Sequence, residues 1–229
     1  MHPNHIAFIT KGNITWSKQH SKPIGEVYRL RLQKILELVE QQVKNKIPIF
    51  TFYLFSSNAK REAEFFSHYI DELIIFFDDL RNNKLVHDNR VKISVFGKWY
   101  NLPSRLVDPI KTIIEDTKDY DGHFLNFCIN YDGREEIVDA CRVIAMKVKS
   151  NKLDPEGITQ EELKDNLYSS YFLPPDIIVV NDNEPILSGL LLWDSVDSYI
   201  YITGKLWPDF SVKDFLALLK RYEQEKSGV

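Results

Sequence analysis

His5-Ile6-Ala7-Phe8-Ile9-Thr10 runs directly into Lys11-Gly12-Asn13, and this stretch decides the fold. An apolar run of strand length stopped by a glycine turn predicts a buried strand. Downstream, Tyr28, Leu32, Ile35, Leu36, Val39 and Val43 recur at i, i+4, i+7, i+8, i+11 and i+15. That spacing places them on one face of an amphipathic helix. Strand, loop and helix in this order are the repeating unit of a parallel sheet with crossover helices.

The unit recurs outward from there. Pro48 restarts the chain into the apolar and aromatic run Ile49 to Phe55, and Ser56-Ser57-Asn58 can cap the helix that follows. That helix, Arg61 to Leu80, carries Phe65, Phe66, Tyr69, Ile70, Leu73, Ile74, Phe76 and Phe77, a stripe wider than one sheet contact needs. Val91 to Phe96, Phe124 to Asn130 and Asp176 to Val180 read as three further strands, with helices near 103–115, 135–149 and 212–225. Between the last strand and the last helix, Leu190 to Trp193, Tyr199-Ile200-Tyr201-Ile202 and Trp207-Pro208-Asp209-Phe210 concentrate aromatic residues. The expected architecture is a single α/β domain over residues 1–229, a mostly parallel central sheet flanked by helices.

Composition narrows the function classes. With 229 residues, 44% hydrophobic and 13% aromatic, the chain can fill a large core, which excludes disordered and fibrous classes. A net charge of -4 supplies no global basic surface, so no nucleic-acid partner is expected. Cys128 and Cys141 form no CxxC pair, which fits a reducing, cytoplasmic compartment. The strongest apolar run, Leu73 to Phe77, is far too short for a transmembrane segment. His2, His5 and His20 lack a Cys or carboxylate at ligand spacing and read as ordinary strand or surface histidines rather than a metal site. Lys60-Arg61 and Arg29-Leu30-Arg31 read as solvated helix faces.

The ordered landmarks carry a resemblance. His5 to Ile9 leading into Gly12-Asn13 and Trp16, Tyr53-Leu54-Phe55-Ser56-Ser57, Asn130 to Arg134, Pro175-Asp176, Leu191-Leu192-Trp193 and Leu206 to Phe210 together resemble the cis-prenyltransferases, the undecaprenyl and dehydrodolichyl diphosphate synthases. The resemblance spans essentially the whole chain. It implies the cis-prenyltransferase fold in a homodimer or heterodimer. Each active subunit joins isopentenyl diphosphate to an allylic diphosphate with Mg²⁺ and houses the product in an apolar tunnel. The stripe from Phe65 to Phe77 corresponds to the tunnel wall, and it implies either a retained cavity or a filled tunnel, the filled one favoured because an empty apolar cavity costs stability.

Several site positions of that family are altered here. Gly12, Asn13 and Ser188 are kept, but Lys11 stands where the family has the Mg²⁺-recruiting Asp. Like unit charges about 4 Å apart repel by roughly 4 kcal/mol at an effective dielectric near 20, so the cation is excluded. Thr15 replaces an arginine, and Glu26 replaces a histidine. Val180 and Ile186 replace the two arginines of the isopentenyl diphosphate cradle, bidentate donors that no aliphatic side chain imitates. Tyr199 replaces an acidic metal ligand. Asn58 and Arg61 match the family's Asn and Arg only with one residue deleted.

These losses lead to the expectation of a chain that is no enzyme on its own. It would be the non-catalytic accessory subunit of a heteromeric cis-prenyltransferase, similar to the Nogo-B receptor type, stabilising a catalytic partner in a heterodimer or heterotetramer. It would bind no cofactor, and Mg²⁺ would sit in the partner. Expressed alone it could form a homodimer. Lys226-Ser227-Gly228 resembles the family's C-terminal Arg-x-Gly and would give backbone donors to diphosphate in the partner's site. Trp193, Tyr201 and Trp207 would form the dimer interface. The complex would be cytoplasmic, touching a membrane only peripherally. Two alternatives stand beside this: a divergent active cis-prenyltransferase in which Lys11 replaces the metal's charge and Arg61 holds the allylic diphosphate, and a polyprenyl-phosphate-binding protein.

Overall fold

The computed structural model describes residues 2–57, 63–182 and 184–227, without the side chains of residues 63–65. Six strands, β1 (His5–Ile9), β2 (Ile49–Ser56), β3 (Val91–Phe96), β4 (His123–Tyr131), β5 (Ile177–Val180) and β6 (Tyr199–Ile202), form one sheet in the order β3-β4-β2-β1-β5-β6. Every neighbouring pair is parallel. The helices are α1 (Asn13–Gln19), α2 (Ile24–Lys44), α3 (Ala63–Arg81), α4 (Lys84–Asp88), α5 (Ser104–Asp116), α6 (Gly133–Lys149), α7 (Gln160–Lys164) and α8 (Val212–Lys226). The alternating run Tyr199 to Ile202 is thus a sixth strand at the sheet edge.

β1, β2 and β5 are near-continuous apolar runs because helices and loops cover both sheet faces. On one face Phe8 stacks on Phe52 with ring centroids 4.8 Å apart, and Phe127 meets Phe76 and Phe77 edge to face at 5.7 and 5.5 Å. The aromatic stripe of α3 therefore packs ring against ring over the middle of the sheet. Ala7, Ile9, Tyr53, Cys128 and Tyr131 point to the opposite face, under Phe172, Leu190 and Leu191.

Trp207 belongs to the first of these cores. It is fully buried, its ring is stacked 6.1 Å from Phe210, and its Nε1 donates to the Arg31 carbonyl at 3.1 Å. This corrects its expected place in a dimer interface: the indole is spent inside its own subunit.

The chain leaving β1 crosses to β2 on one side, whereas the chain leaving β5 crosses to β6 on the other. The carboxyl ends of β1 and β5 therefore flank the switch point of the sheet, where two connections diverge and open a crevice. Gly12 makes the turn out of β1 possible. Its φ is +87°, and a Cβ there would come within 2.5 Å of Leu206 Cδ2.

Candidate active site at the switch point

The crevice is built from the residues just past β1 and β5. Thr10 hydroxyl donates to the Tyr53 carbonyl at 3.0 Å and accepts from Arg31 Nε at 3.1 Å and Nη2 at 2.5 Å. Lys11 is half-buried, and its Nζ donates to the Ile186 carbonyl at 3.0 Å, tying β1 to the loop after β5. Burial pushes the Lys11 ammonium below the ordinary lysine range, while Asp182 and Glu184 act in the opposite direction. Asn13 is buried and donates through Nδ2 to the Thr10 carbonyl at 2.9 Å. Its Oδ1 has no partner among the described residues, and the same holds for Oδ1 of the fully buried Asn181 at the end of β5. Unpaired buried acceptors at a strand-end crevice leave polar sites for a ligand to fill.

Val180 is fully buried and Ile186 is 49% exposed, so neither replaces the cation that the family carries at these positions. Ser188 holds a left-handed φ of 55°, and its carbonyl accepts from the Tyr53 hydroxyl at 3.3 Å. Thr15 is exposed on α1, and Glu26 is exposed on α2 within 3.9 Å of Lys22. Asn58, Arg61 and Gly228 lie outside the described residues.

The remaining predicted residues are not in this crevice. Tyr199 opens β6 at the opposite edge of the sheet, where its hydroxyl donates to Glu225 at 3.0 Å. Lys226 and Trp193 are at that same edge, lining a cleft with Asn4, Asp176 and Tyr222. Ser227 caps α8, and its hydroxyl donates to the Glu223 carbonyl at 2.7 Å. Tyr201 sits on the edge strand β6, with the Arg221 guanidinium 5.8 Å from its ring centroid. The tail and Tyr199 thus stand a full strand length from the Lys11 crevice of their own chain.

Arg31 is the residue that sequence reasoning missed. Its neighbour Arg29 does face solvent and grips Glu72 in a two-pronged bond at 3.1 and 2.8 Å. Arg31 instead points inward, 5% exposed, with Nη2 also donating to the Tyr53 and Leu54 carbonyls at 3.2 and 2.5 Å. The β1–β2 ladder ends at Ile9 and Tyr53, and β2 shifts register against β4 between Tyr53 and Phe55, next to these carbonyls. The signal was present in the spacing: Arg31 is three residues after Tyr28 and four before Ile35, on the apolar stripe of α2.

The donor set here does not fit a divalent cation. An ammonium cannot ligate a metal, and the Lys11 ammonium is held on the Ile186 carbonyl. Among the described residues no group of three His, Cys, Asp or Glu side chains is placed to hold one. The three histidines go separate ways: His2 pairs with Glu223, His20 stacks on Trp16, and His5 is buried as the first residue of β1. Among the described residues no helix is long and apolar enough to cross a membrane.

Comparison with known proteins agrees with this fold. Residues 9–228 match the family described as "Putative undecaprenyl diphosphate synthase". A tritrans,polycis-undecaprenyl-diphosphate synthase (geranylgeranyl-diphosphate specific) of Thermoplasma volcanium is 32% identical over 228 residues, covering 98% of this chain and 87% of the relative. An isoprenyl transferase of Streptococcus pyogenes serotype M1 is 31% identical over 229 residues, covering 98% and 91%. The crystal structure of lavandulyl diphosphate synthase from Lavandula x intermedia, in complex with dimethylallyl diphosphate, superposes with a TM-score of 0.89 at 27% identity, covering 96% of this chain and 95% of that one. A probable undecaprenyl diphosphate synthase from Campylobacter jejuni shares the fold, with a TM-score of 0.78 at 23% identity over 97% and 96% of the chains.

The chain is a member of the undecaprenyl diphosphate synthase family, the cis-prenyltransferases. The expectation that it is no enzyme on its own is overturned: relatives alike over nearly the full length are named as synthases and transferases. The matches include no accessory subunit of Nogo-B receptor type among those described, and the comparisons point to an enzyme with altered site residues.

Proposed function

We infer that this protein is a prenyl-diphosphate transferase in which Lys11 takes over the metal's electrostatic task. The observation that carries the reading is the Lys11 ammonium, half-buried at the sheet's switch point and anchored to the Ile186 carbonyl. When the carbon–oxygen bond of an allylic diphosphate breaks, negative charge grows on the departing diphosphate. A cation already held in a partly dry crevice stabilises that charge with little reorganisation. The allylic carbon then bonds to the isopentenyl double bond, and the proton lost from the new chain goes to the departing diphosphate. Gly12 and Asn13 keep the turn that exposes the backbone N–H groups beside Lys11.

The loop after β5 has Asp182, Glu184 and Ile186 where a second diphosphate would need cations. The C-terminal tail answers that need in trans. Lys226 stands beside the amino ends of its own strands, away from the Lys11 crevice, so its ammonium serves the crevice of a second copy in a homodimer.

The test is incorporation of radiolabelled isopentenyl diphosphate into prenyl product by the purified chain, with dimethylallyl, farnesyl or geranylgeranyl diphosphate as primer. Product from the wild type and a loss of about a hundredfold in Lys11→Ala are expected. Equal product from Lys11→Ala would refute the role given to the lysine.

A further inference from the structure

A cleft of about 450 Å³ runs along the edge strand β3 on the sheet face away from α3, and in the strand order β3 is separated from β1 by β4 and β2. Its floor is formed by Lys92, Ser94 and Phe96, which alternation along β3 turns to that face. Tyr171 and Phe172, from the segment before β5, make the opposite wall, and Trp99 and Tyr100 line the end beyond β3. Phe96 meets Phe172 with ring centroids 5.6 Å apart, and Phe172 meets Tyr171 at 5.2 Å, so these rings are continuous. The volume falls within the roughly 300–1,000 Å³ of small-molecule sites, which are lined mainly by apolar and aromatic groups with a few polar ones.

The side chains around this cleft point to a ligand. Tyr100 is 56% and Tyr171 is 72% exposed, which leaves large rings open to water beside a concave surface. Lys92 is half-buried, its ammonium lies 5.5 Å from the Tyr171 ring centroid, and it pairs with no carboxylate among the described residues. Lys98, just past the same strand, differs in having Glu135 at 3.5 Å and Asp139 at 3.6 Å. Among the described residues lining the cleft, Lys92 alone carries a charge. A cationic ligand would compete with Lys92 for the Tyr171 ring and be repelled by its ammonium, whereas an anion would gain a charge-assisted bond from it. Lys92 and Phe96 are four residues apart on one strand, about 13 Å, so a flat ligand of two or three rings can reach from the ammonium to the far end.

We propose that this cleft binds a planar aromatic anion, with its rings against Tyr171, Phe172 and Tyr100 and its acidic group on Lys92. The site is separate from the Lys11 crevice and stands independently of the transferase reading above.

Fluorescence titration of the full chain with anilinonaphthalene sulfonate and with phenylnaphthylamine, the same rings without the acid, tests this. The sulfonate is expected to bind the wild type about tenfold more tightly than the neutral amine. Lys92→Gln should abolish that difference by weakening the sulfonate alone. Tyr171→Ala should weaken both dyes about fivefold through the lost ring contact. Neither side chain belongs to the closed core, so both variants are expected to melt near the wild-type temperature. Equal binding of the two dyes by the wild type, unchanged sulfonate affinity in either variant, or displacement of the sulfonate by excess inorganic pyrophosphate would overturn the site.

Discussion

His5 and Lys11 show how a few atoms set the behaviour of β1. His5 is fully buried; its Nδ1 donates to the Leu173 carbonyl at 2.6 Å and its Nε2 accepts from the Thr51 hydroxyl at 2.8 Å. Thr51 in turn accepts from Asn126 at 3.2 Å, which fixes a chain of neutral bonds across three strands. Burial lowers the His5 pKa from 6.5 to about 4. The unfolded chain therefore takes up a proton near pH 6.5 that the folded protein refuses until about pH 4, so stability falls as the pH drops through that window. The loss reaches at most roughly 3 kcal/mol. Urea unfolding at pH 7.5 and 4.5, with the His5 ring followed by NMR, checks this; a His5 titrating near its ordinary value would refute it. The sequence also showed Lys11 at a family metal position, because a charge reversal needs no structure to be seen. It did not show Arg31 buried, because a basic cluster on a helix is ordinarily solvated and only the i−3 and i+4 neighbours reveal which of its members turns inward.

At the scale of elements, the glycine turn after β1 and the cap of α8 are the positions where one residue governs a whole segment. Gly12→Ala would force a side chain into a left-handed backbone and against Leu206, at a cost of about 1–3 kcal/mol in thermal or denaturant unfolding. Ser211 and Asp214 form a reciprocal capping box at the start of α8. Ser211→Ala is expected to cost about 1 kcal/mol by the same measurement, and no change would mean the box adds nothing. The five apolar strands were legible from periodicity, and four of the helices that connect them were bounded within a few residues. β6 was not legible as a strand: it is short, sits at the sheet edge, and all four residues are apolar or aromatic and at most half-buried, Tyr199 and Tyr201 on one face and Ile200 on the other. α1 escaped notice for a related reason, since its seven residues offer too little apolar repeat to read.

For the whole molecule, the parallel sheet separates two functional edges. Lys11, Asn13, Arg31 and Asn181 gather at the carboxyl ends of the strands, while Tyr199, Trp193 and Lys226 gather where the strands begin. The proposed completion of the site across a two-fold axis would reconcile that separation, each copy lending its tail to the other. Removal of residues 226–229 is then expected to raise the KM for isopentenyl diphosphate about tenfold. An equal KM in the truncated chain would refute the contribution in trans. The alteration that led the sequence reading to an inactive subunit, a cation in place of a carboxylate, is the same one that a rearranged enzyme needs, and the choice between the two came from the relatives.

The most direct measurement is prenyl product formation by the purified chain alone, in EDTA and again with Mg²⁺, for the wild type and Lys11→Ala. The account predicts product in EDTA from the wild type and its loss in Lys11→Ala. No product from the wild type under either condition, or product only when Mg²⁺ is added, would contradict it.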